Sequence, residues 1–249
     1  EAVSNAPSGA PLPFCAIPTT AGTGSEVTQY ALLTDTAARK KVNLSTARSF
    51  PATALLDAEV TRSMPADLTR DTGMDAISHA VESYLSTRAT RFSDACALHA
   101  LRVAVESLPE AYDAPGNLDA RERMLTASCL AGMAIAQTGT TACHALGYYL
   151  TLVRDVRHGH ANAVLLGAVM EYASRNAPER VGRVVEILGC GMDEFVRRFG
   201  YDTRLGACGM TAEDVAPMVA QAAGRGSVAA TPGGPDADTL SSLVSRRLG

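Results

Sequence analysis

The sequence carries no excess of positive charge: 22 Lys and Arg stand against 26 Asp and Glu, a formal net charge of −4. A mildly acidic chain without a basic cluster is a poor match for a phosphate backbone, which argues against nucleic acid as a partner. No apolar run approaches the roughly 20 residues needed to cross a bilayer, so no membrane span is expected. Residues 1–13 are rich in Pro, Ser and Gly and lack the charged start of a secretory signal, so none is expected. The six cysteines (Cys15, Cys96, Cys129, Cys143, Cys190 and Cys208) form no Cys-x-x-Cys pair. Most fall in apolar helical patterns, so free buried thiols in a reducing cytoplasm are expected. There is no internal repeat and no heptad array.

What is present is a long, moderately apolar chain: 249 residues, 47% hydrophobic and 19% charged. That is enough for a sizeable core in one large domain or two small ones. Residues 14–17 read as a short strand stopped by Pro18, and 28–34, 40–44 and 53–57 also read as strands. The character changes near Val60. Pro65 opens a helix. Helical patterns follow at about 67–86, 92–108, 118–137, 141–151, 159–174, 178–188, 192–198, 211–223 and 236–247. The expected architecture is mainly α, with a helical domain over 60–249 and the tail of an α/β domain over 1–59.

Four stretches carry chemistry. In Asp71-Thr-Gly-Met-Asp-Ala-Ile-Ser-His-Ala-Val-Glu82, Asp75 and His79 lie four residues apart, on one face of a helix. A carboxylate and an imidazole so placed can share a divalent metal. His144, in Cys143-His-Ala-Leu-Gly147, and His158, in Arg157-His-Gly-His-Ala-Asn162, would complete a four-donor set with room for an outside oxygen. His158 falls at a helix start, where the dipole disfavours protonation and keeps the imidazole free to bind metal. His99, in mid-helix without an acidic or His neighbour at useful spacing, is expected to be structural. His160, two residues beyond His158, would point elsewhere on the helix, where it could line a cleft, and is given no ligand role. The loop Pro18-Thr-Thr-Ala-Gly-Thr-Gly-Ser-Glu26 combines small residues and hydroxyls able to approach a phosphate or ribose closely. It is neither a P-loop nor a Gly-x-Gly-x-x-Gly fingerprint.

Taken together, Pro18-Thr-Thr-Ala-Gly-Thr-Gly-Ser-Glu-Val-Thr28, Thr72-Gly-Met-Asp-Ala-Ile-Ser-His79, Cys143-His-Ala-Leu-Gly147 and His158-Gly-His-Ala-Asn-Ala163 resemble the iron-containing (group III) alcohol dehydrogenase family. The resemblance implies the helical C-terminal domain of a dehydroquinate-synthase-like fold, preceded by a short β-rich remnant of the nucleotide-binding domain. It implies a metal, Fe²⁺ before Zn²⁺, on Asp75, His79, His144 and His158, and NAD or NADP against Thr19, Thr20, Thr23, Thr28, Leu32 and Lys41. It also implies a small alcohol or aldehyde substrate, no nucleic-acid or membrane partner, a homodimer or larger homo-oligomer, and a cytoplasmic location. The implied reaction is hydride transfer between the alcohol and the nicotinamide.

Two departures bear on that expectation. The family's Gly-Gly-Gly-Ser pyrophosphate-binding motif is not in the sequence, so a chain of this extent is expected not to bind the dinucleotide productively. Where many members carry a proton-relaying His four residues after the third ligand, this chain has Tyr148, a weaker shuttle at neutral pH that is still able to donate a hydrogen bond. The rival readings are a non-catalytic helical module without its nucleotide domain, and a metal hydrolase using the same donors. Ala97, Ala100, Ala131, Gly132 and Met133 are expected to line the substrate pocket, whose small apolar residues single out no alcohol.

Overall fold

The computed structural model describes residues 12–35, 40–43 and 45–249. Four short strands come first: β1 (Cys15–Ala16), β2 (Leu32–Asp35), β3 (Lys40–Asn43) and β4 (Thr53–Ala54). β1 and β4 pair in parallel, with Cys15 opposite Thr53. β2 and β3 form an antiparallel pair, with Leu33 opposite Val42. The expected strand over 28–34 is thus shorter and later than its pattern suggested. Residues 25–27 instead make a 3₁₀ turn, and Gln29 and Tyr30 spend their side chains on main-chain oxygens of Ala136 and Ile135.

Ten α-helices follow among the described residues: α1 (Ala66–Leu85), α2 (Arg91–Asp113), α3 (Leu118–Thr138), α4 (Ala142–Val153), α5 (His158–Ala173), α6 (Pro178–Leu188), α7 (Met192–Arg197), α8 (Ala212–Ala222), α9 (Gly226–Ala229) and α10 (Ala237–Ser245). α2 runs through Pro109 to Asp113, past the proline at which the pattern had ended it. A proline inside a helix forfeits one hydrogen bond and costs about 3 kcal/mol. Here Leu108 and Ala111, on either side of it, are both fully buried, and burial of this kind offsets that cost.

α1 is the central helix. Every residue from Gly73 to Leu85 is buried, and α2, α3, α5 and α6 pack around it. A helix buried on all faces belongs to the interior of a large fold, so Asp75, His79 and Glu82 sit in an environment that favours partnered polar groups. Met74, Ile77, Leu101, Leu108, Met124 and Leu125 fill the surrounding core without exposure, each contributing about 1.5–3 kcal/mol by burial.

Two glycines set the approach of backbones near the future site. A Cβ on Gly159, the second residue of α5, would lie 1.7 Å from the main-chain oxygen of Asp71. Only glycine lets α5 begin directly against α1. Gly24 has φ 58° and would push a Cβ to 2.5 Å from Gly132 on α3, so the loop ahead of Ser25 lies flat on that helix.

All six cysteines are free. Only Cys96 and Cys143 are fully buried, and Cys15 is exposed, so the expectation of buried thiols holds for two of them. No helix among the described residues is long and apolar enough to cross a membrane.

Candidate active site

Asp75 and His79 come from the middle of α1, His144 from the first turn of α4, and His158 from the first residue of α5. The chain brings all four together. Asp75 Oδ1 lies 3.6 Å from His144 Nε2 and 3.9 Å from the Nε2 atoms of His79 and His158. The His79 and His144 rings stack at 4.7 Å, and the His158 ring meets His144 edge-on at 5.1 Å. Donor atoms of Asp75, His79 and His144 all lie within 4.8 Å of one another.

The other nitrogen of each imidazole is occupied, which fixes its orientation. His144 Nδ1 contacts the Glu82 carboxylate. His79 Nδ1 lies 3.1 Å from the Gly22 main-chain oxygen, and His158 Nδ1 lies 3.5 Å from Thr151 Oγ1. With Nδ1 as the N–H and Nε2 free of its proton, the form that binds a metal, each Nε2 turns its lone pair toward Asp75. Such outer hydrogen bonds are what hold metal-binding histidines in place.

Whether these residues fit a metal is decided by how the convergent lone pairs are satisfied. Asn162 Nδ2 lies 2.9 Å from Asp75 Oδ1, 3.1 Å from His144 Nε2 and 3.3 Å from His158 Nε2. With His144 in its neutral, metal-binding form, the two Nδ2 hydrogens cannot serve three acceptors at once. Four donors around a metal at about 2.0–2.2 Å would stand about 3.3–3.6 Å apart in a tetrahedron, close to the spacing observed. A set of three imidazoles and one carboxylate suits Fe²⁺ or Zn²⁺. The residues fit the ion.

Electrostatics agree. Burial works to raise the Asp75 carboxyl, but the surrounding imidazoles outweigh it and hold it below its ordinary range. Burial lowers His79 and pushes His158 down to about 4, so both are neutral at pH 7. Burial would lower His144 as well, but the Glu82 carboxylate beside it prevails and lifts it to about 10. Two carboxylates therefore face three imidazoles, of which only His144 is cationic in the metal-free protein, and an added cation that displaces its second proton is favoured there.

Glu82 is the residue that sequence reasoning missed. It is buried, and it accepts hydrogen bonds from Thr141 N at 2.8 Å, Thr141 Oγ1 at 2.6 Å and His144 N at 3.3 Å. It caps the N-terminus of α4, where the helix dipole favours a negative charge, and orients His144 in the same contact. Its only signal in the sequence is its place one turn beyond His79. Behind His158, Arg157 bridges to Asp67 at 2.5 Å and to buried Asp71 at 3.0 Å, tying the start of α5 to α1. Asp71 also accepts a hydrogen bond from Tyr201 at 2.6 Å.

The four donors open into a cleft of about 1250 Å³. Thr23, Thr28 and Leu32 line it, with Ile135, Gly139 and Tyr148. Thr19 and Thr20 lie earlier in the loop and are not in that lining. Lys41 falls in β3, and its side chain lies outside the described residues. Tyr148 stacks on His158, rings parallel to 5° at 5.4 Å, and burial pushes its phenol up to about 12. His160 faces Tyr201 and Cys208 instead, and His99 is exposed on α2. The expected pocket residues Ala97, Ala100 and Ala131 are buried in helix packing, and Gly132 carries Gly24; the cleft wall is built from the C-terminal end of α3 instead.

An Asp-and-three-His centre, buried but for part of His158, at the base of a cleft walled by a small-residue loop is an arrangement able to hold one divalent metal ion. The comparisons name the family. Residues 69–248 match the model of the Fe-containing alcohol dehydrogenase family, C-terminal part, and residues 2–58 match that of iron-containing alcohol dehydrogenase. The chain is 39% identical over 210 residues to the probable alcohol dehydrogenase EutG of Escherichia coli, covering 80% of this chain and 53% of that protein. It is 41% identical over 177 residues to the 1,3-propanediol dehydrogenase of Klebsiella pneumoniae, covering 71% of this chain and 46% of that protein. An iron-containing alcohol dehydrogenase structure from Thermotoga maritima superposes with a TM-score of 0.84 at 40% identity, covering 96% of this chain and 64% of that one. The chain belongs to the iron-containing alcohol dehydrogenase family. It spans about half the length of the curated relatives it matches.

Proposed function

We propose that this chain is the metal- and substrate-binding part of an NAD(P)-dependent alcohol dehydrogenase or aldehyde reductase. The observation that carries this reading is the convergence of three imidazole Nε2 atoms on Asp75 Oδ1 at the base of a cleft bordered by Thr23 and Thr28. Asp75, His79, His144 and His158 would hold the metal, Fe²⁺ before Zn²⁺. When bound, such an ion makes an alcohol oxygen more acidic and a carbonyl more electrophilic.

The chain's own residues do the rest. Glu82 holds the Nδ1 proton of His144 and so keeps Nε2 directed at the centre. Tyr148 keeps its proton at neutral pH and gives the substrate a hydrogen-bond donor, in place of the relay histidine of other members. Thr23 and Thr28, in the loop that begins with Thr19 and Thr20, would meet the nicotinamide half of the cofactor, with Leu32 and Lys41 beyond them. Residues 1–59 read as the end of the nucleotide-binding domain and 60–249 as the catalytic domain. A cytoplasmic homo-oligomer acting on a small alcohol or aldehyde fits the free thiols and the family.

The test is hydride transfer. Full-length protein loaded with Fe²⁺ or Zn²⁺ is given NAD or NADP with a panel of short alcohols, and reduced nicotinamide is followed by absorbance. Turnover abolished by His144→Ala is expected. Metal-loaded, nucleotide-binding protein that turns over none of the panel in either direction would overturn the reading.

A further inference from the structure

The cleft holds one feature that the family resemblance does not explain. Away from the Asp75 and histidine centre itself, the charged side chains among its described lining residues are Arg88 and Arg225. The other arginines near the site are taken: Arg157 pairs with Asp67 and Asp71, and Arg154 with Asp214. Neither Arg88 nor Arg225 has a carboxylate within ion-pair distance among the described residues. Both are tied by main-chain oxygens of a single stretch. Arg225 Nε donates to Gln221 O at 2.8 Å, and Arg88 Nη2 donates to Gly226 O at 3.1 Å. These contacts leave several guanidinium N–H groups unused, including both terminal nitrogens of Arg225.

The position of Arg225 relates it to the centre. Its guanidinium carbon stands 5.5 Å from the centroid of the Tyr148 ring, and Tyr148 in turn is stacked on His158. A column of guanidinium, phenol and imidazole thus runs from Arg225 through Tyr148 to His158, beside Asp75. Arg88 lines the same cleft and reaches the residue next to Arg225 through Gly226 O, while its Nη1 lies 3.7 Å from where a Gly139 Cβ would be. The hydroxyl-rich loop runs along α3, with Gly24 on Gly132 and Tyr30 bonded to Ile135 O at 2.9 Å, whereas Arg225 sits over the Tyr148 of α4.

We infer that the substrate is a short alcohol or aldehyde with a terminal oxyanion, such as a carboxylate, bound by Arg225 and Arg88 while its oxygenated carbon reaches the Asp75 centre. This rests on reading the cleft as the substrate site of a dehydrogenase. Guanidinium forks without a carboxylate partner among the described residues, in a cleft whose one described lining carboxylate faces the histidines, match an oxyanion in charge and geometry. The span of one phenol ring between Arg225 and His158 limits the substrate to a chain of a few carbons.

The test uses metal-loaded, full-length protein and two probes that separate binding from chemistry. Propanoate, which cannot react, is titrated calorimetrically against wild type, Arg225→Gln, Arg88→Gln and Arg225→Lys. The ratio of kcat/KM for 3-hydroxypropanoate over 1-propanol is measured in the same proteins. Wild type is expected to bind propanoate and to prefer the hydroxy acid. Each Gln variant should weaken propanoate binding about tenfold or more, the worth of a charge-assisted hydrogen bond, and should collapse the kcat/KM ratio by a similar factor. Arg225→Lys should recover part of both.

Turnover of 1-propanol with no preference for the acid and no propanoate binding would overturn the inference and leave the dehydrogenase reading intact. Propanoate binding that depends on both arginines, with neither alcohol turned over, would support the anion site and sink the dehydrogenase reading. If the Gln variants weaken binding of the reduced nucleotide and leave propanoate untouched, the arginines serve the cofactor's phosphates and the inference falls.

Discussion

The residues before Val60 and the helices after Pro65 bury their apolar side chains to very different degrees. Of the twelve large hydrophobic side chains exposed among the described residues, nine lie between Leu12 and Val60, including Leu12, Phe14, Ile17, Leu33 and Leu55. In the helical body, Phe92, Met133 and Val153 are the remaining three. The body closes its own core around α1. The front presents two isolated two-stranded pairs, a form that is marginal in water without further packing. Its exception is the run Ala21–Thr28, where Ala21, Gly22, Gly24, Glu26 and Thr28 are buried. That run packs chiefly on α3 and is bonded to His79 through Gly22 O. The half of the centre proposed to hold a metal is thus built on the helical body, and the half proposed to meet a cofactor lies at its edge.

That contrast can be broken in several ways, and hydrogen exchange gives the largest expected effect. Amides in the buried span of α1 and in α5 should exchange only through global opening, while those of β1–β4 exchange through local opening. A difference of at least about a hundredfold between the two sets is expected. Equal protection in both would show that the front is as firmly held as the body.

Next is Glu82→Gln. It keeps the shape but weakens the grip on His144 Nδ1 and the cap on α4. Outer partners of metal-binding histidines are typically worth about 10–100-fold in metal affinity, so a loss of that size is expected in a competition titration with a chelator. Unchanged affinity would reduce Glu82 to a helix cap.

Leu108→Ala tests the body itself. Leu108 is fully buried against Gly73 and beside Pro109, so its truncation should cost about 2–5 kcal/mol in denaturant unfolding. The same change at exposed Leu33 should be close to neutral.

The smallest effect is at the far side of α4. Burial would raise Asp214, but hydrogen bonds from Thr211, Arg154 and Tyr149 hold its carboxyl down to about 2. A depressed carboxyl contributes stability that is fully present above its unfolded pKa near 4 and is lost as pH falls toward 2. Asp214→Asn should therefore lower stability slightly at pH 7 and flatten its decline between about pH 4 and 2. An acid unfolding profile parallel to wild type would remove Asp214 from that window.

Much of the body and the centre was legible in the residues. Helix periodicity located α1, and the four-residue step from Asp75 to His79 survives in three dimensions because a helix face is a local property. The small-residue context of His158 marked a helix start, and Gly159 shows why: α5 begins in contact with α1. What was not legible depends on distant packing. Nothing local says that Glu82 reaches the first turn of α4, or that Asn162 points into the donor set. Ala97, Ala100 and Ala131 looked like pocket lining because small residues suit pockets, but they equally suit the close packing of α2 and α3. Arg88 and Arg225 are 137 residues apart in the chain, and only the fold brings them to one cleft. The strands of the front were placed roughly, but their bounds were not, since short exposed strands owe their limits to neighbours more than to their own pattern.

The most direct test of the account is the metal content of purified protein, measured by elemental analysis in wild type, His144→Ala and Asp75→Ala after identical reconstitution with Fe²⁺ or Zn²⁺. Circular dichroism on each sample checks that the helical body is retained. Near one equivalent of metal in wild type and little in either variant, with helicity preserved, is the result predicted by four donors converging from α1, α4 and α5. Folded wild type that takes up no metal, or variants that retain it fully, would contradict the claim that these residues form a metal centre.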